Sequence, residues 1–211
     1  MTTNKYPYDA VIFDLLTTLL DSWTLWRDVA GSSEAGMAWR REYLVLTYDA
    51  GVYRPYESII HDAARASGIA PETADALIAR WPELRPWPEA PGVLRALCEK
   101  GIALGIATNS SNALAVHAVD SAGGDIFSAV ATAESAGTYK PRPEPYRLAL
   151  KQMGTDPART LFVAGSAADV PGASGVGMSV YWHNRIGLAK TGDAAPIQTE
   201  QSLTPLLDLF E

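Results

Sequence analysis

The stretch "YDAVIFDLLTTLLDS", Tyr8 to Ser22, drives an apolar run straight into a carboxylate, Asp14. The run "AVIF" shows no polar alternation, the pattern of a strand covered on both faces and therefore of a parallel sheet. Four further apolar runs share this character: "IALGIAT" up to Thr108, "AVATA" around Val130, "LFVAG" up to Gly165 and "SVYW" up to Trp182. Helical patterns separate them, at Gly92 to Glu99, Ser111 to Ser121, Glu144 to Met153, and briefly after Asp169. Strands alternating with helices predict an α/β fold, a doubly wound, Rossmann-like parallel sheet that binds ligands at the carboxyl ends of its strands. Asp14, Thr108 and Gly165 fall at such ends, and Lys140 falls in the loop after the third strand. A carboxylate at that place is aimed into a cleft by a rigid element.

From Asp21 to about Trp87 the pattern changes to helix after helix, at Trp23 to Tyr48, Tyr56 to Ser67 and Pro71 to Trp81, with the proline-rich "RWPELRPWPEAPG" as the return linker. The expected organisation is a core of residues 1–20 and 88–211 with a helical cap, residues 21–87, inserted after the first strand. The tail "AAPIQTEQSLTPLLDLFE" reads as a surface segment ending in a short amphipathic helix.

Composition narrows the function. With 47% hydrophobic and 19% charged residues, the balance is that of an ordinary globular chain. A net charge of −7 without a Lys/Arg-rich run argues against nucleic acid or membrane as partner. An anionic substrate would then need local positive charge. The opening "MTTNKYPYD" lacks the layout of a signal peptide, and one cysteine, Cys98, fits a reducing setting, so a cytoplasmic location is expected.

Four loops, each at the end of an expected strand, resemble the haloacid dehalogenase superfamily in order along the chain. "FDLLTTLLD" is similar to its first motif, with Asp14 as nucleophile. "ATNSS" is similar to the second, with Thr108 and Asn109, and "YKPRPEPY" to the third, with Lys140. "LFVAGSAADVPGASGVGM" is similar to the fourth, with Asp169. The resemblance implies that Asp14 forms an ester with substrate, dividing one displacement into two easier steps. Lys140 offsets the desolvation of that carboxylate. Thr108 and Asn109 donate to Asp14 or to a substrate oxygen.

Leu16 decides between branches. Phosphatases of this superfamily usually carry a general acid there and a second metal-binding acid near Gly165, and this chain has neither. Halide leaves carbon without a proton, and a bulky apolar residue at this place is the pattern of the 2-haloacid dehalogenases. The expected activity is therefore metal-independent hydrolysis of short 2-haloacids to 2-hydroxyacids, with no cofactor. An atypical phosphatase is the alternative, holding Mg²⁺ on Asp14, Asp169 and the Leu16 carbonyl. The chain departs from the dehalogenase branch at Leu16 itself, usually aromatic, at Thr17, usually glycine, and at Ala164, Ser166 and Ala168, often Ser, Asn and an aromatic.

That branch also uses a cap arginine to receive halide. Alignment of "WRREYLVLTYDAG" puts Thr47 at its place, leaving Arg40, Arg41 and Arg54 as substitutes, of which Arg41 is taken as the substrate contact. Leu16, with cap aromatics such as Trp39 or Tyr43, would shape a small apolar pocket. For the hydrolytic water, His183 beyond the last strand and Asp21 seven residues past Asp14 form a candidate Asp–His base, Asp169 being the alternative. Asp21 also stands where it would cap a helix, and His183 where it would close a loop. Asn184 is read as tethering that loop or holding a substrate carboxylate. By analogy with relatives, a homodimer is expected.

Overall fold

The computed structural model describes residues 7–211; the opening "MTTNKY", read above for a leader, lies outside them. The strand β1 (Ala10–Phe13) is central, and all four of its residues are buried. It pairs in parallel with β2 (Ala103–Thr108) on one side and β4 (Thr160–Ala164) on the other. With β3 (Phe127–Thr132), β5 (Ser179–His183) and β6 (Gln198–Glu200), the six-stranded parallel sheet has the order β3-β2-β1-β4-β5-β6. The chain thus winds outward to one side of β1 and then to the other. The tip of β1, where Asp14 follows, is the switch point at which such sheets open a crevice.

Side chains alternate across β1. Val11 and Phe13 enter one core, beneath α5 (Ala90–Glu99) and α6 (Asn112–Ala122). Ile12 enters the other, with Tyr146, Leu150 and Val170 of α8 (Pro143–Met153) and α9 (Asp169–Ser174). A single turn of helix, α7 (Ala133–Ala136), follows β3. Each large apolar side chain so buried stabilises the fold by about 1.5–3 kcal/mol, which is why β1 tolerates no polar residue before its tip.

Between β1 and α5 the chain forms α1 (Ser22–Ala30), α2 (Ser33–Asp49), α3 (Tyr56–Ala66) and α4 (Pro71–Ala79). The single helix expected over Trp23 to Tyr48 is two. Gly31 adopts φ 81°, a left-handed conformation that ends α1, and Ser32 then caps α2 by accepting from the Ala35 N–H at 3.1 Å. At Gly36 the two helices meet, since a Cβ there would stand 3.0 Å from the Arg27 Cα. Trp26, Trp39 and Trp81 fill the centre of this helical insertion. Trp39 donates its indole N–H to the Ile60 carbonyl at 3.0 Å, so it belongs to the insertion's core and not to a pocket wall.

The outgoing and returning linkers run antiparallel, with the Asp21 N–H on the Arg85 carbonyl and the Trp87 N–H on the Leu19 carbonyl. Over the sheet's carboxyl end the insertion is tied by Ser111 Oγ to Glu57 (2.6 Å), Tyr139 Oη to the Arg54 carbonyl (2.7 Å) and Thr138 Oγ1 to the Gly51 carbonyl (2.7 Å). The tail corrects the sequence reading. It supplies β6 to the sheet edge, and a 3₁₀ turn over Thr204–Phe210 then buries Leu206 and Phe210.

Candidate active site

Asp14 lies 7% exposed at the tip of β1, and both its carboxylate oxygens accept hydrogen bonds. Lys140 Nζ donates to Oδ1 at 2.8 Å. The Thr17 hydroxyl donates to Oδ2 at 2.9 Å, supported by the Thr17 N–H and the Thr18 hydroxyl. Burial alone would push this carboxyl up, but the Lys140 ammonium and the Thr17 donors outweigh it and hold the group below the ordinary carboxylate range. It is an ionised carboxylate in a nearly dry place.

Lys140 reaches Asp14 from the loop after α7, and the Asn109 side chain fixes that loop. Its carbonyl accepts the Lys140 N–H at 2.7 Å and its amide donates to the Lys140 carbonyl at 3.1 Å. The ammonium also donates to Asp169 Oδ2 at 3.0 Å. The other Asp169 oxygen accepts the Tyr146 hydroxyl at 2.6 Å, reached over Gly172, where a Cβ would stand 2.5 Å from that hydroxyl. Burial and the neighbouring Asp14 push the Asp169 carboxyl up despite Lys140.

Arg40 closes the site from above. It lies in the buried stripe of α2, with its guanidinium 4.0 Å from the Trp23 ring centroid and Nη1 donating to Ser22 Oγ at 3.1 Å. Its buried Nε has no hydrogen-bond partner among the described residues. Asp14, Leu16, Arg40, Tyr43, Asn109 and Lys140 are among the residues lining a cavity of about 40 Å³. Tyr48 and Ser166 complete one wall, and burial pushes the Tyr48 hydroxyl up to about 12, so it is a neutral donor there.

The expected site residues separate into two groups. Asp14, Leu16, Asn109, Lys140 and Asp169 converge on this cavity. Thr108 does not line it; fully buried, its hydroxyl stands 3.4 Å from Ser110 Oγ. Arg40 lines the cavity and Arg41 does not. Arg41 points outward, its Nε donating to the Met37 carbonyl, while Arg54 pairs with Asp62 away from the site. Thr47, at the place aligned with the cap arginine, is buried and donates to the Leu44 carbonyl.

The Asp21–His183 pair does not form. Asp21 caps α1 through the Thr24 N–H at 3.0 Å and hydroxyl at 2.7 Å. His183 is fully buried, with Nδ1 3.0 Å from the Thr18 carbonyl and its ring edge-on to Trp87. Burial holds that imidazole below its ordinary range, hence neutral. Asn184 closes its own loop on the Leu188 backbone. Thr17 and Tyr146 fall outside the expected set, and Arg40 stands in it only as one of three substitute arginines. For Arg40 a signal existed, since it shares the helical stripe of Gly36, Trp39, Tyr43 and Thr47.

The donors do not fit Mg²⁺. The Lys140 ammonium stands between Asp14 and Asp169, 2.8 and 3.0 Å from their oxygens, in the place a cation shared by the two carboxylates would take, and the Leu16 carbonyl accepts the Ser22 N–H at 3.3 Å. No third acid can stand at Gly165, where a Cβ would lie 2.2 Å from Thr17 Oγ1.

A family model described as haloacid dehalogenase-like hydrolase matches residues 8–177, and with them the whole of this cavity's catalytic frame. The chain belongs to the haloacid dehalogenase-like hydrolases. Among relatives of this hydrolase, an (S)-2-haloacid dehalogenase of Pseudomonas putida is 30% identical over 196 residues, covering 86% of this chain and 88% of that one. A haloacetate dehalogenase of Moraxella sp. (strain B) is 37% identical, but the match spans 107 residues, 50% of this chain and 48% of the relative. The solved L-2-haloacid dehalogenase of Xanthobacter autotrophicus superposes with a TM-score of 0.85 at 25% identity, over 96% of this chain and 98% of that one.

Proposed function

We propose that this hydrolase converts 2-haloacids to 2-hydroxyacids without a metal ion, through an ester on Asp14. The observation that carries the reading is an ionised, buried carboxylate whose neighbours are an ammonium and hydroxyls, with no room at Gly165 for a further metal-binding acid. In the first step an Asp14 oxygen attacks C2 with inversion, and the carbon–halogen electron pair leaves with the halide. Arg40, held over the cavity and with a free buried donor, receives that charge. The four buried charges of Asp14, Asp169, Lys140 and Arg40 sum to zero, and ester formation removes the Asp14 charge as the halide gains one, so the first step leaves the net charge of the cavity unchanged.

In the second step water attacks the Asp14 Cγ. Asp169, the other carboxylate on the cavity, accepts one water proton and returns it to the 2-alkoxide oxygen as the Cγ–O ester bond breaks, and the second water proton leaves to solvent as Asp14 regains its charge. Lys140 stays hydrogen-bonded to Asp169 throughout and turns from a counter-charge for the nucleophile into a donor toward the ester oxygens. The direct test is purified protein with chloroacetate or 2-chloropropionate in excess chelator. Release of halide with stoichiometric hydroxyacid is expected, and its complete absence at high enzyme concentration contradicts the reading.

A further inference from the structure

Beside the catalytic cavity lies a second chamber of about 240 Å³ that the chemistry above does not use. The two share Thr17, Arg40, Leu44, Tyr48 and Ser166, so these five residues form their common wall. Beyond that wall the chamber is apolar, formed by Trp23, Met37, Leu188 and two successive alanines, Ala167 and Ala168. The alanines each place a single methyl against it, so nothing from the loop before α9 fills the space. Arg41, exposed on α2, sits at its rim.

The dimensions of the two spaces differ in meaning. A water needs roughly 10–15 Å³ of such volume, so the inner cavity of about 40 Å³ holds a head group of a few atoms and no chain. In a protein of net charge −7, Arg41 at the rim and Arg40 on the shared boundary are the two arginines lining this chamber. With C1 and C2 in the inner cavity, the remaining substituent on C2 has the Leu44–Tyr48 side of α2 to pass and the apolar chamber beyond it.

Resting on the proposed 2-haloacid chemistry, we infer that this chamber binds the alkyl tail of the substrate, making the preferred substrates 2-haloalkanoates with several carbons beyond C2. Each methylene moved from water onto apolar walls improves binding about fourfold. A two-carbon substrate gains nothing from the chamber.

The test uses the full chain and two ladders. The first measures kcat/KM for halide release from 2-bromo acids of three, four, six and eight carbons. The second measures, by calorimetry, the binding of the unreactive acids acetate, butanoate, hexanoate and octanoate. Both should rise by about fourfold per methylene to six carbons. Ala168→Phe, or Leu188→Trp if the first variant folds poorly, should lower the six-to-three-carbon ratio at least tenfold. A flat or falling ladder in the unmodified protein overturns the inference, as does a ratio untouched by both variants. If no bromo acid releases bromide, the proposed chemistry fails, and the binding ladder alone then decides: rising affinity sustains the tail chamber and flat affinity removes it.

Discussion

Asp14 owes its charge to neighbours that donate to both of its oxygens. Thr17 and Gly165 are a fitted pair, because the Thr17 hydroxyl that donates to Asp14 fills the space a side chain at 165 would need. Gly165→Ala should therefore cost about 1–3 kcal/mol by overpacking, and Thr17→Gly in the same chain should restore only part of it, because the Thr18 hydroxyl and backbone nitrogen would still stand 2.6 and 2.8 Å from the added methyl. Chemical denaturation of the two single variants and the double variant checks this as a thermodynamic cycle. The pH dependence follows from Lys140. Asp14 is held below its ordinary 3.8 and Lys140 above its ordinary 10.5, each against the opposing effect of burial. The stability from the Asp14 ion pair is thus present above 3.8 and lost as pH falls through the lower folded value. The share assigned to Lys140 is present below 10.5 and lost only as pH rises through its higher folded value. Halide release in the first step should be flat between those limits. In Lys140→Met, burial of Asp14 is no longer offset and the acid limb should move upward; a pH profile of the pre-steady-state burst reads this directly.

At the scale of elements, strand tips were legible because an unbroken apolar run ending in Asp14, Thr108 or Gly165 has one physical meaning. The helical arginine was legible in principle and misread by one residue. Neighbours on a helix point about 100° apart, so Arg40 joins the buried stripe of α2 while Arg41 faces outward. The Asp21–His183 pair failed for a different reason. Asp21 caps α1 while His183 ends β5, and only the packing of Trp87 and the Thr18 carbonyl shows that His183 is claimed by the core. His183→Asn should keep halide release within about threefold of the parent while lowering stability by about 1–3 kcal/mol, the cost of a disturbed buried polar group. Loss of turnover with unchanged stability would instead return His183 to catalysis.

For the whole molecule, the site is assembled from segments as distant as Asp14, Arg40, Lys140 and Asp169, and the insertion is tied down over it by side chains such as Ser111 and Tyr139. The tail escaped the sequence reading because a three-residue edge strand carries too few positions to show a period. It is nonetheless part of the core, since Leu203, Leu206 and Phe210 are fully buried and Tyr181 donates to the Ser202 carbonyl. Removing residues 196–211 should cost on the order of 5 kcal/mol or more, enough to leave little folded protein in a thermal melt. Turnover of the intact chain should be unchanged by excess chelator and by added Mg²⁺, since the Lys140 ammonium already stands between the two carboxylates a metal would share.

The central claim is that an Asp14 oxygen bonds to substrate carbon and is then exchanged. A single turnover in heavy-oxygen water, with enzyme in excess over 2-chloropropionate and followed by mass spectrometry of the Asp14 peptide and the product, tests it most directly. The account predicts one heavy oxygen in the Asp14 carboxylate and none in the first molecule of lactate. Label in the lactate with an unlabelled Asp14 peptide would mean that water attacks the substrate directly, and would contradict it.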